Sequence, residues 1–472
     1  MILRALTEYY QRKAQELAPI GFEEKEIPFL IVIDEEGRFI QLQDTRNRNG
    51  KNKLVATSYT VPQGPGRSGA MSYATAYPLW DHYGYVVEQP KVKSAGGEPS
   101  DDEKLTALRQ HRAFTEKIRE IHEFAPDDTG VKAVYSFLAK QSEKEKLKST
   151  VEWREVLKIS GCNLAFKLVD HEFLVCQSRA VQRWVAASAE GSESVGVCLV
   201  TGEERPVAKL HFKIKGVWNS QMAGANLVSF NCDSFTSWNK KQGNNSPVSE
   251  QAVFEYSTAL NYLLRKHCPN RFQMGETSVV CWSQTESVLE QTMPMFFNDA
   301  PKDDPDRGTK AVRMLFDSLH DGAYVEADAS TRFYILGLSP NDSRIAVRFW
   351  HVGTVSEIAE HFKQWFDDID IVKHGEPEYP PVKALLRSTA LLGKDENMSP
   401  HLVGETIRAV LSGLPLPSSA LQAAIRRIKA EHNVTFYRAA LIKASVNRLA
   451  RYKGQTEKEL SVSYNPSEKR IG

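Results

Sequence analysis

Several features that mark common protein classes are missing from this 472-residue sequence. Its six cysteines include no C-x-x-C pair, which argues against a zinc site or a disulfide framework and predicts reduced, buried thiols. No apolar run approaches the length of a membrane span, and the N-terminus lacks the continuous apolar core of a signal peptide. These absences predict a cytoplasmic protein with no membrane partner. The cysteines are Cys162, Cys176, Cys198, Cys232, Cys268 and Cys281.

Catalytic motifs are missing too: the chain has no P-loop, no G-x-S-x-G and no H-E-x-x-H. Residues 64–69, GPGRSG, fit G-x-G-x-x-G by letter, but Pro65 takes the second position and no helical period follows, which favours a surface loop. Asp367, Asp368 and Asp370 follow a predicted helix. A solvated helix end is the favoured interpretation, and a metal-dependent nuclease is the alternative. The sequence therefore predicts no catalytic residue, no metal and no cofactor.

An excess of charge of one sign is also absent, since 60 Lys and Arg against 59 Asp and Glu leave a net charge of +1. Attraction to a polyanion must therefore depend on local clusters. Acid-free basic stretches are what phosphate neutralisation requires, although a charge run is more often a solvated surface. Three stretches are rich in Lys and Arg and nearly free of acids between their ends: residues 45–80, 205–249 and 421–453.

The length predicts about three domains. The apolar pattern predicts an α+β fold, with a multi-lobed mixed α/β N-terminal and central body containing β-hairpins, followed by an all-helical C-terminal part. The predicted domains are an N-terminal α+β domain with a basic Gly-rich loop (1–130), a central mixed α/β domain (131–380) and a helical part (381–472).

Individual elements follow from the spacing of apolar residues and from turn residues. Hairpins are expected at 29–42, 163–176 and 333–350, the last with its turn at Pro340, Asn341 and Asp342. Further strands are expected at 54–61, 198–201, 209–214 and 277–283. Helices are expected at 1–18, after the charged tract 96–104 as far as Phe124, at 247–267, and repeatedly from Val382 to about Lys453.

One long segment combines basic and amide side chains. Residues 213–245 read KIKGVWNSQMAGANLVSFNCDSFTSWNKKQGNN, with lysines at both ends and no charged residue from 216 to 232. Amides and hydroxyls can reach base edges in a nucleic-acid groove, and cations hold phosphates. The other interpretation is a connection packed between strands, with Trp218, Leu227 and Phe230 in the core. Both interpretations can hold at once.

This segment and its surroundings resemble a known family. The resemblance is carried by CLVTGEERPVAKLHFKIKGVWNSQMAGANLVSFNCDSFTSWNKKQGNNSPVSEQAVFEYSTALNYLL, FYILGLSPNDSRIAVRFW and SGLPLPSSALQAAIRRIKAEHNVTFYRAALIKASVNR, and by MILRALTEYYQR and FLIVIDEEGRF near the start. These stretches resemble the large subunit of the type I-C CRISPR Cascade surveillance complex. The loop GPGRSGAMSYATAYPLWDHYGYVV matches loosely. Similar proteins continue beyond SYNPSEKRIG into a helical bundle, so the resemblance implies a shortened form or an absent C-terminal part.

The resemblance implies a non-catalytic subunit of an RNA-guided complex. Such a subunit recognises a protospacer-adjacent motif in duplex DNA, helps to unwind the target, guides the displaced strand and forms a docking platform for a separate nuclease–helicase. The alternative is a structural scaffold that binds guide RNA and neighbouring subunits without reading target DNA. The implied partners are the CRISPR RNA, the target double-stranded DNA, the displaced non-target strand, the backbone, repeat-processing and small subunits of Cascade, and the nuclease–helicase.

Residue type and position suggest which side chains contact DNA. For base edges we expect Asn219, Gln221 and Asn226, and also Ser72 and Tyr73 from a second loop that includes Arg67 and Ser68. For phosphates we expect Arg46, Arg48, Lys51, Lys53, Arg67, Lys213, Lys215, Lys240 and Lys241.

Overall fold

The structure is a computed structural model that describes residues 1–48, 52–64, 66–67, 71–92, 97–188, 194–221, 224–266, 268–301, 303–320, 330–372, 375 and 377–455. The chain divides into two compact units. We call Ala14–Ser194 the N-terminal unit, and Met1–Lys13 together with Val195–Gly472 the larger unit. The division into three domains at 130 and 380 stays a prediction.

The N-terminal unit contains both strands and helices. Its strands are β1 (Phe22–Glu26), β2 (Phe29–Ile33), β3 (Phe39–Asp44), β4 (Asn47–Arg48), β5 (Leu54–Val55), β6 (Ser58–Pro62), β7 (Trp80–His82) and β8 (Asn163–Leu168). Helix α1 (Ile2–Arg12) belongs to the larger unit, and the helices that follow here are α2 (Tyr83–Val87), α3 (Asp101–Phe124), α4 (Thr129–Ala139), α5 (Gln141–Lys148), α6 (Val151–Lys158) and α7 (Arg179–Ser188).

A four-stranded sheet in the order β3-β2-β8-β7 forms the centre of this unit. All five residues of β2 are buried, which is typical of an inner strand covered on both faces. The predicted hairpin at 29–42 is confirmed, because β2 pairs antiparallel with β3. The helix expected to end at Phe124 is confirmed as α3, and its N-terminus has a capping box between Ser100 and Glu103.

Two strand predictions in this unit are wrong in part. The hairpin expected at 163–176 is reduced to one antiparallel bridge between Lys167 and Leu174, because β8 pairs in parallel with β2 and antiparallel with β7. The side chain of Gln177 accepts the Leu174 N–H at 2.9 Å, and this N–H is therefore not available to pair with a strand. The strand expected at 54–61 is divided between β5, which pairs with β4, and β6, which pairs with β1.

The larger unit has fewer strands and more helices. Its strands are β9 (Val195–Val197), β10 (Glu204–Pro206), β11 (Arg271–Met274), β12 (Thr277–Ser283), β13 (Arg332–Asn341) and β14 (Arg344–Thr354). Besides α1, its helices are α8 (Glu250–Leu263), α9 (Leu289–Phe297), α10 (Arg307–His320), α11 (Val355–Ile369), α12 (Val382–Arg387), α13 (Pro400–Leu411), α14 (Ser418–Glu431) and α15 (Phe436–Tyr452).

An antiparallel sheet in the order β11-β12-β13-β14 is the main sheet of the larger unit. The buried strand predicted at 277–283 is confirmed as β12, in which every residue is buried. The hairpin of β13 and β14 is also confirmed, but Pro340 and Asn341 belong to β13. Its turn consists of Asp342, which has a φ of 54°, and Ser343.

Strands expected near residue 200 are wrong. Residues 198–201 form a turn between β9 and β10, in which the Cys198 carbonyl accepts the Gly202 N–H at 2.8 Å. Residues 209–214 do not form a strand, and only Ile214 makes a bridge, to Ala225. The helix expected at 1–18 is confirmed only as far as Arg12.

The helical C-terminal part is confirmed and packs against α11 and the main sheet in one core. The sequence and structure thus agree on an α+β fold with an all-helical end. No helix in the described part of the chain is long and apolar enough to cross a membrane.

Candidate nucleic-acid interface

The amide segment, residues 213–245, begins with a clamped piece of backbone. Ile214 is fully buried, and its N–H and carbonyl exchange bonds of 2.8 and 2.9 Å with Ala225. The side chain of Asn261 on α8 accepts the Lys215 N–H at 2.7 Å and donates to the Lys213 carbonyl at 3.3 Å. Because side chains alternate along extended backbone, Lys213 and Lys215 are exposed on the side opposite Ile214.

The exposed amides follow in a tight turn. A Cβ on Gly216, which has a φ of 84°, would lie 2.6 Å from the Leu264 carbonyl oxygen, so the chain passes close to the end of α8. Ser278 then accepts the Trp218 N–H at 2.9 Å. Asn219 has a left-handed φ of 54°, and Asn219 and Gln221 are both exposed. These two side chains are therefore accessible, and their reading of bases stays a prediction.

Asn226 is placed differently from the other two amides. Its side chain is half-buried and donates to the His211 carbonyl at 3.1 Å. Its backbone bridges to the start of β14, where the Ile345 N–H donates to the Asn226 carbonyl at 3.0 Å. In this structure Asn226 holds the segment to the main sheet. Its role in base reading stays a prediction, and it would require the side chain to exchange its hydrogen bond with the His211 carbonyl for one with a base.

The core of the amide segment is smaller than expected. The packed-connection interpretation places Trp218, Leu227 and Phe230 in the core, but Trp218 is exposed, and Leu227 and Phe230 are only half-buried. The buried anchors are instead Ile214, Val217 and Ala225. The packed-connection interpretation therefore holds for the backbone and for small aliphatic side chains, while the largest side chain faces solvent.

The second half of the segment forms a loop at residues 237–245, which we call the Trp238 loop. The side chain of Asn245 accepts the Ser237 N–H at 2.9 Å and donates to the carbonyls of Lys240 and Gln242, each at 3.0 Å. The Gly243 N–H donates to the Lys209 carbonyl at 3.1 Å. One amide side chain thus organises the whole loop.

Two lysines and a tryptophan project from the Trp238 loop. Lys240 and Lys241 are exposed, and Trp238 is 91% exposed. Trp238 was not singled out from the sequence, although its position two residues before a Lys-Lys pair is a visible signal.

Three lysines of the segment carry charge that no carboxylate of the described residues neutralises. Among the residues that the structure describes, Lys213, Lys240 and Lys241 have no carboxylate partner. The one acid between 213 and 245, Asp233, is exposed. Cations of this kind produce a positive local potential that attracts a polyanion, even on a chain with almost no net charge.

The second candidate loop has a different geometry. The Arg67 guanidinium lies 3.7 Å from the ring centroid of Tyr77 and 4.0 Å from that of Tyr85, and it pairs with the buried carboxylate of Asp81. Its Nε also donates to the Thr75 carbonyl at 2.7 Å. Burial raises the pKa of Asp81 to about 6, so Asp81 remains ionised at neutral pH. Arg67 thus fixes the loop, and phosphate binding by it stays a prediction.

The remaining members of this candidate site are also tied to their own unit. The Ser72 carbonyl accepts the Tyr85 hydroxyl at 2.9 Å, and the Tyr73 hydroxyl contacts the sulfur of Met71 at 3.1 Å. Both side chains are half-buried, and Ser68 lies outside the described residues. Base reading by Ser72 and Tyr73 stays a prediction.

The basic residues before this loop are partly neutralised. Arg46 forms ion pairs with Asp44 at 2.6 Å and Glu155 at 3.5 Å, and its side chain is only 10% exposed. Arg48 donates to the side chain of Asn52 at 2.8 Å. Lys53 is exposed, and Lys51 lies outside the described residues. Their phosphate contacts stay predictions.

Two aspartates at the end of α11 contact basic side chains of the C-terminal helix α15. Asp368 is buried and accepts from Arg448 at 3.0 Å and Arg451 at 2.7 Å. The Asp370 carbonyl accepts from the Lys443 amine. Within the described ranges, no group of three or more His, Cys, Asp or Glu side chains is placed to hold a metal ion. The nuclease alternative therefore has no ligand cluster in the described structure to support it.

Comparison with known proteins gives the family. Residues 6–472 match the family described as CRISPR-associated protein (Cas_Csd1), and the chain therefore belongs to this family of CRISPR-associated large subunits. None of the curated proteins compared with the chain matches it. The predicted resemblance is confirmed at the level of the family, whereas the assignment to type I-C goes further than the match.

Proposed function

We propose that this chain is the large subunit of a type I-C Cascade complex and that its amide segment reads the protospacer-adjacent motif in duplex DNA. The observation that carries the proposal is the pairing of exposed, unneutralised lysines with exposed amides on one clamped segment. The unneutralised lysines are Lys213, which precedes the amides of Asn219 and Gln221, and Lys240 and Lys241, which follow them.

Each kind of side chain supplies a different part of recognition. Lysines neutralise phosphates and fix the position of the duplex without regard to sequence, whereas an amide can donate to and accept from one base edge. In an RNA-guided complex, pairing with the guide reads most of the target, so the protein needs only a short motif and the backbone. A few amides on a rigid segment are sufficient for that task.

Other parts of the proposed function are supported by family membership. They are the separation of the DNA strands beside the motif, the guidance of the displaced strand, and the docking of a nuclease–helicase. The proposed partners are the CRISPR RNA and the backbone, repeat-processing and small subunits. A non-catalytic role is proposed with them.

The test is binding of assembled complex to duplexes that share a protospacer and differ only in the flanking trinucleotide. Gln221→Ala should reduce discrimination between flanks by about 1–3 kcal/mol, the value of one bidentate base contact. Its salt dependence should be unchanged, because no cation is lost. The matched control is Gln284→Ala, which removes another exposed glutamine of the larger unit.

Two results would contradict the proposal in different ways. A flank preference that survives in Gln221→Ala moves motif reading to another residue, and the loop near Arg67 is then tested in the same way. A wild-type complex with no flank preference supports the scaffold alternative, because a scaffold that binds only guide RNA and subunits is indifferent to the flank.

A further inference from the structure

Trp238 is exposed to a degree that is unusual for tryptophan. Its side chain is 91% exposed, whereas Trp80, Trp282 and Trp365 are fully buried. A large apolar ring left in water gives up the favourable transfer that buries most indoles. A ring held in solvent is therefore explained better by a ligand that covers it than by packing within the chain.

The backbone beneath this ring is held in an uncommon conformation. Trp238 and Asn239 have left-handed φ values of 54° and 53°, and Gln242 has one of 46°. Such values disfavour residues other than glycine and persist only where the surroundings fix them. Here the three bonds of Asn245 fix them. The indole is thus presented by a preorganised loop.

The charges beside the ring indicate the chemistry of its ligand. Lys240 and Lys241 follow Trp238 by two and three residues, are exposed, and lack a carboxylate partner among the described residues. Lysine is depleted at protein–protein interfaces, which weakens the case for a protein partner. An aromatic ring beside cations is the arrangement by which proteins hold single-stranded nucleic acid, because the ring stacks on a base and the cations contact phosphates.

We infer that Trp238 stacks on an unpaired base of DNA, with Lys240 and Lys241 on the adjoining phosphates. This inference rests on the proposed function, which brings separated strands to the amide segment. An intact duplex offers no free base face to the ring, so stacking selects for strands that are already open. The Trp238 loop would then hold an opened strand and oppose re-pairing.

The experiment measures binding of the full chain to three labelled probes by fluorescence anisotropy: a short DNA single strand, the same strand with abasic sugars, and a blunt duplex. Trp238→Ala should weaken binding of the intact single strand by about five- to a hundredfold, the range of one base–aromatic stack. Binding of the abasic strand and of the duplex should change less than about twofold, because the abasic strand has no base and the duplex exposes only the outer faces of its two terminal pairs.

Three variants complete the design. Trp238→Phe keeps a smaller ring and should give an intermediate loss on the intact strand. The double variant Lys240→Ala/Lys241→Ala should weaken all three probes and reduce the salt slope. Tyr452→Ala is the matched control, since Tyr452 is 70% exposed and lies between Arg451 and Lys453 on a helix. The unfolding midpoint of each variant verifies that the chain is folded.

The outcomes separate the inference from the function on which it rests. If Trp238→Ala weakens binding of the intact and abasic strands equally, the inference of stacking is wrong. It is also wrong if Trp238→Ala does not weaken binding while the lysine variant loses affinity. Neither result contradicts the proposed function. If the lysine variant binds every probe like wild type, the proposed function fails as well.

Discussion

The cations of the N-terminal unit and those of the Trp238 loop have opposite surroundings. Arg67 lies between two tyrosine rings against the buried Asp81, and Arg46 is paired with two carboxylates. Lys240 and Lys241 extend from a loop into solvent and have no carboxylate partner within the described residues. The first set stabilises the fold, and the second is free to meet a ligand.

The chemistry of the two side chains suits this difference. The planar guanidinium of arginine is weakly hydrated, stacks on rings and matches a carboxylate with two bonds, so it can be enclosed. The ammonium of lysine is a strongly hydrated point charge on a flexible stem and is more costly to bury. A cluster of arginines therefore needs a search for internal partners before it is counted as a ligand site.

The first prediction, with the largest change in stability, tests whether the pair of Arg67 and Asp81 stabilises the N-terminal unit. Arg67→Met removes the cation opposite Asp81, leaving a fully buried carboxylate uncompensated, and should cost about 3 kcal/mol of unfolding free energy. Urea unfolding at neutral pH measures it. Asp233→Asn is the control, because Asp233 is exposed and should change stability by less than about 0.5 kcal/mol. Unchanged stability with weaker DNA binding in Arg67→Met would instead make Arg67 a phosphate ligand.

The second prediction addresses the lysines. Replacing Lys213, Lys240 and Lys241 together by alanine should reduce the slope of log affinity against log salt by about 2.7, since each phosphate contact on duplex DNA contributes about 0.9. Titrations at several salt concentrations measure this slope. Arg119→Ala is the cation control, because it removes an exposed cation that is paired with Glu116, and it should leave the slope unchanged. Equal slopes in the triple variant and wild type would contradict an open lysine surface.

The third prediction concerns the support beneath the amide segment. Burial lowers the pKa of His211 to about 4; its Nδ1 contacts the Tyr256 hydroxyl at 2.7 Å, and its Nε2 is buried with no partner in the described structure. The unfolded histidine has a pKa near 6.5, so between these values the unfolded chain binds more protons and stability falls as pH falls. The loss should reach about 2 kcal/mol from pH 7 to pH 5.

A comparison of variants assigns this pH dependence. His211→Gln has no titrating ring, and its urea midpoint should therefore fall less than that of wild type over the same pH range. Titration of His82, whose pKa burial also lowers to about 4, remains in both proteins and serves as an internal reference. An identical pH dependence in both would show that His211 is not the group responsible.

The local sequence pattern was sufficient to predict the elements whose buried residues recur at regular spacing or whose ends are capped. The continuous apolar run of β2, the wholly buried β12 and the cap of α3 at Ser100 were each visible in the sequence, because burial and capping are local properties of the chain. The pairing of β8 with β2 was not visible in the sequence, because it joins residues more than a hundred positions apart. The predicted hairpin at 163–176 is reduced to one bridge, at Lys167 and Leu174, and Gln177 accepts the Leu174 N–H.

The candidate site was predictable in part for the same reason. An acid-free window over 45–80 excluded Asp44 and Asp81 by one residue at each end, and both are partners of arginines inside it. Glu155 arrives from much farther along the chain. The lysines of the amide segment were recognisable, because acids are scarce for a long distance around them. The exposure of Trp238 was not, because the sequence does not show left-handed backbone.

The last prediction, with the smallest change in stability, tests whether the Trp238 loop must have a fixed shape to bind a single strand. Asn245→Ala removes the three side-chain bonds that hold the Trp238 loop and should cost about 1 kcal/mol of stability, because partly solvated hydrogen bonds contribute little each. Affinity for a single strand should fall more than stability suggests, since a loose loop must be ordered on binding.

Asn244→Ala is the matched control for Asn245, because Asn244 is exposed and its backbone bond to the Lys241 carbonyl survives the change. Asn245→Asp divides the effect further: it keeps the acceptor for the Ser237 N–H and loses both donors. Strand affinity in Asn245→Asp should be no higher than in Asn245→Ala, because the new carboxylate lies beside Lys240 and Lys241 and repels phosphates. Equal affinities in Asn245→Ala and Asn244→Ala would mean that the loop needs no fixed shape to bind, and that charge alone distinguishes these lysines from the enclosed arginines.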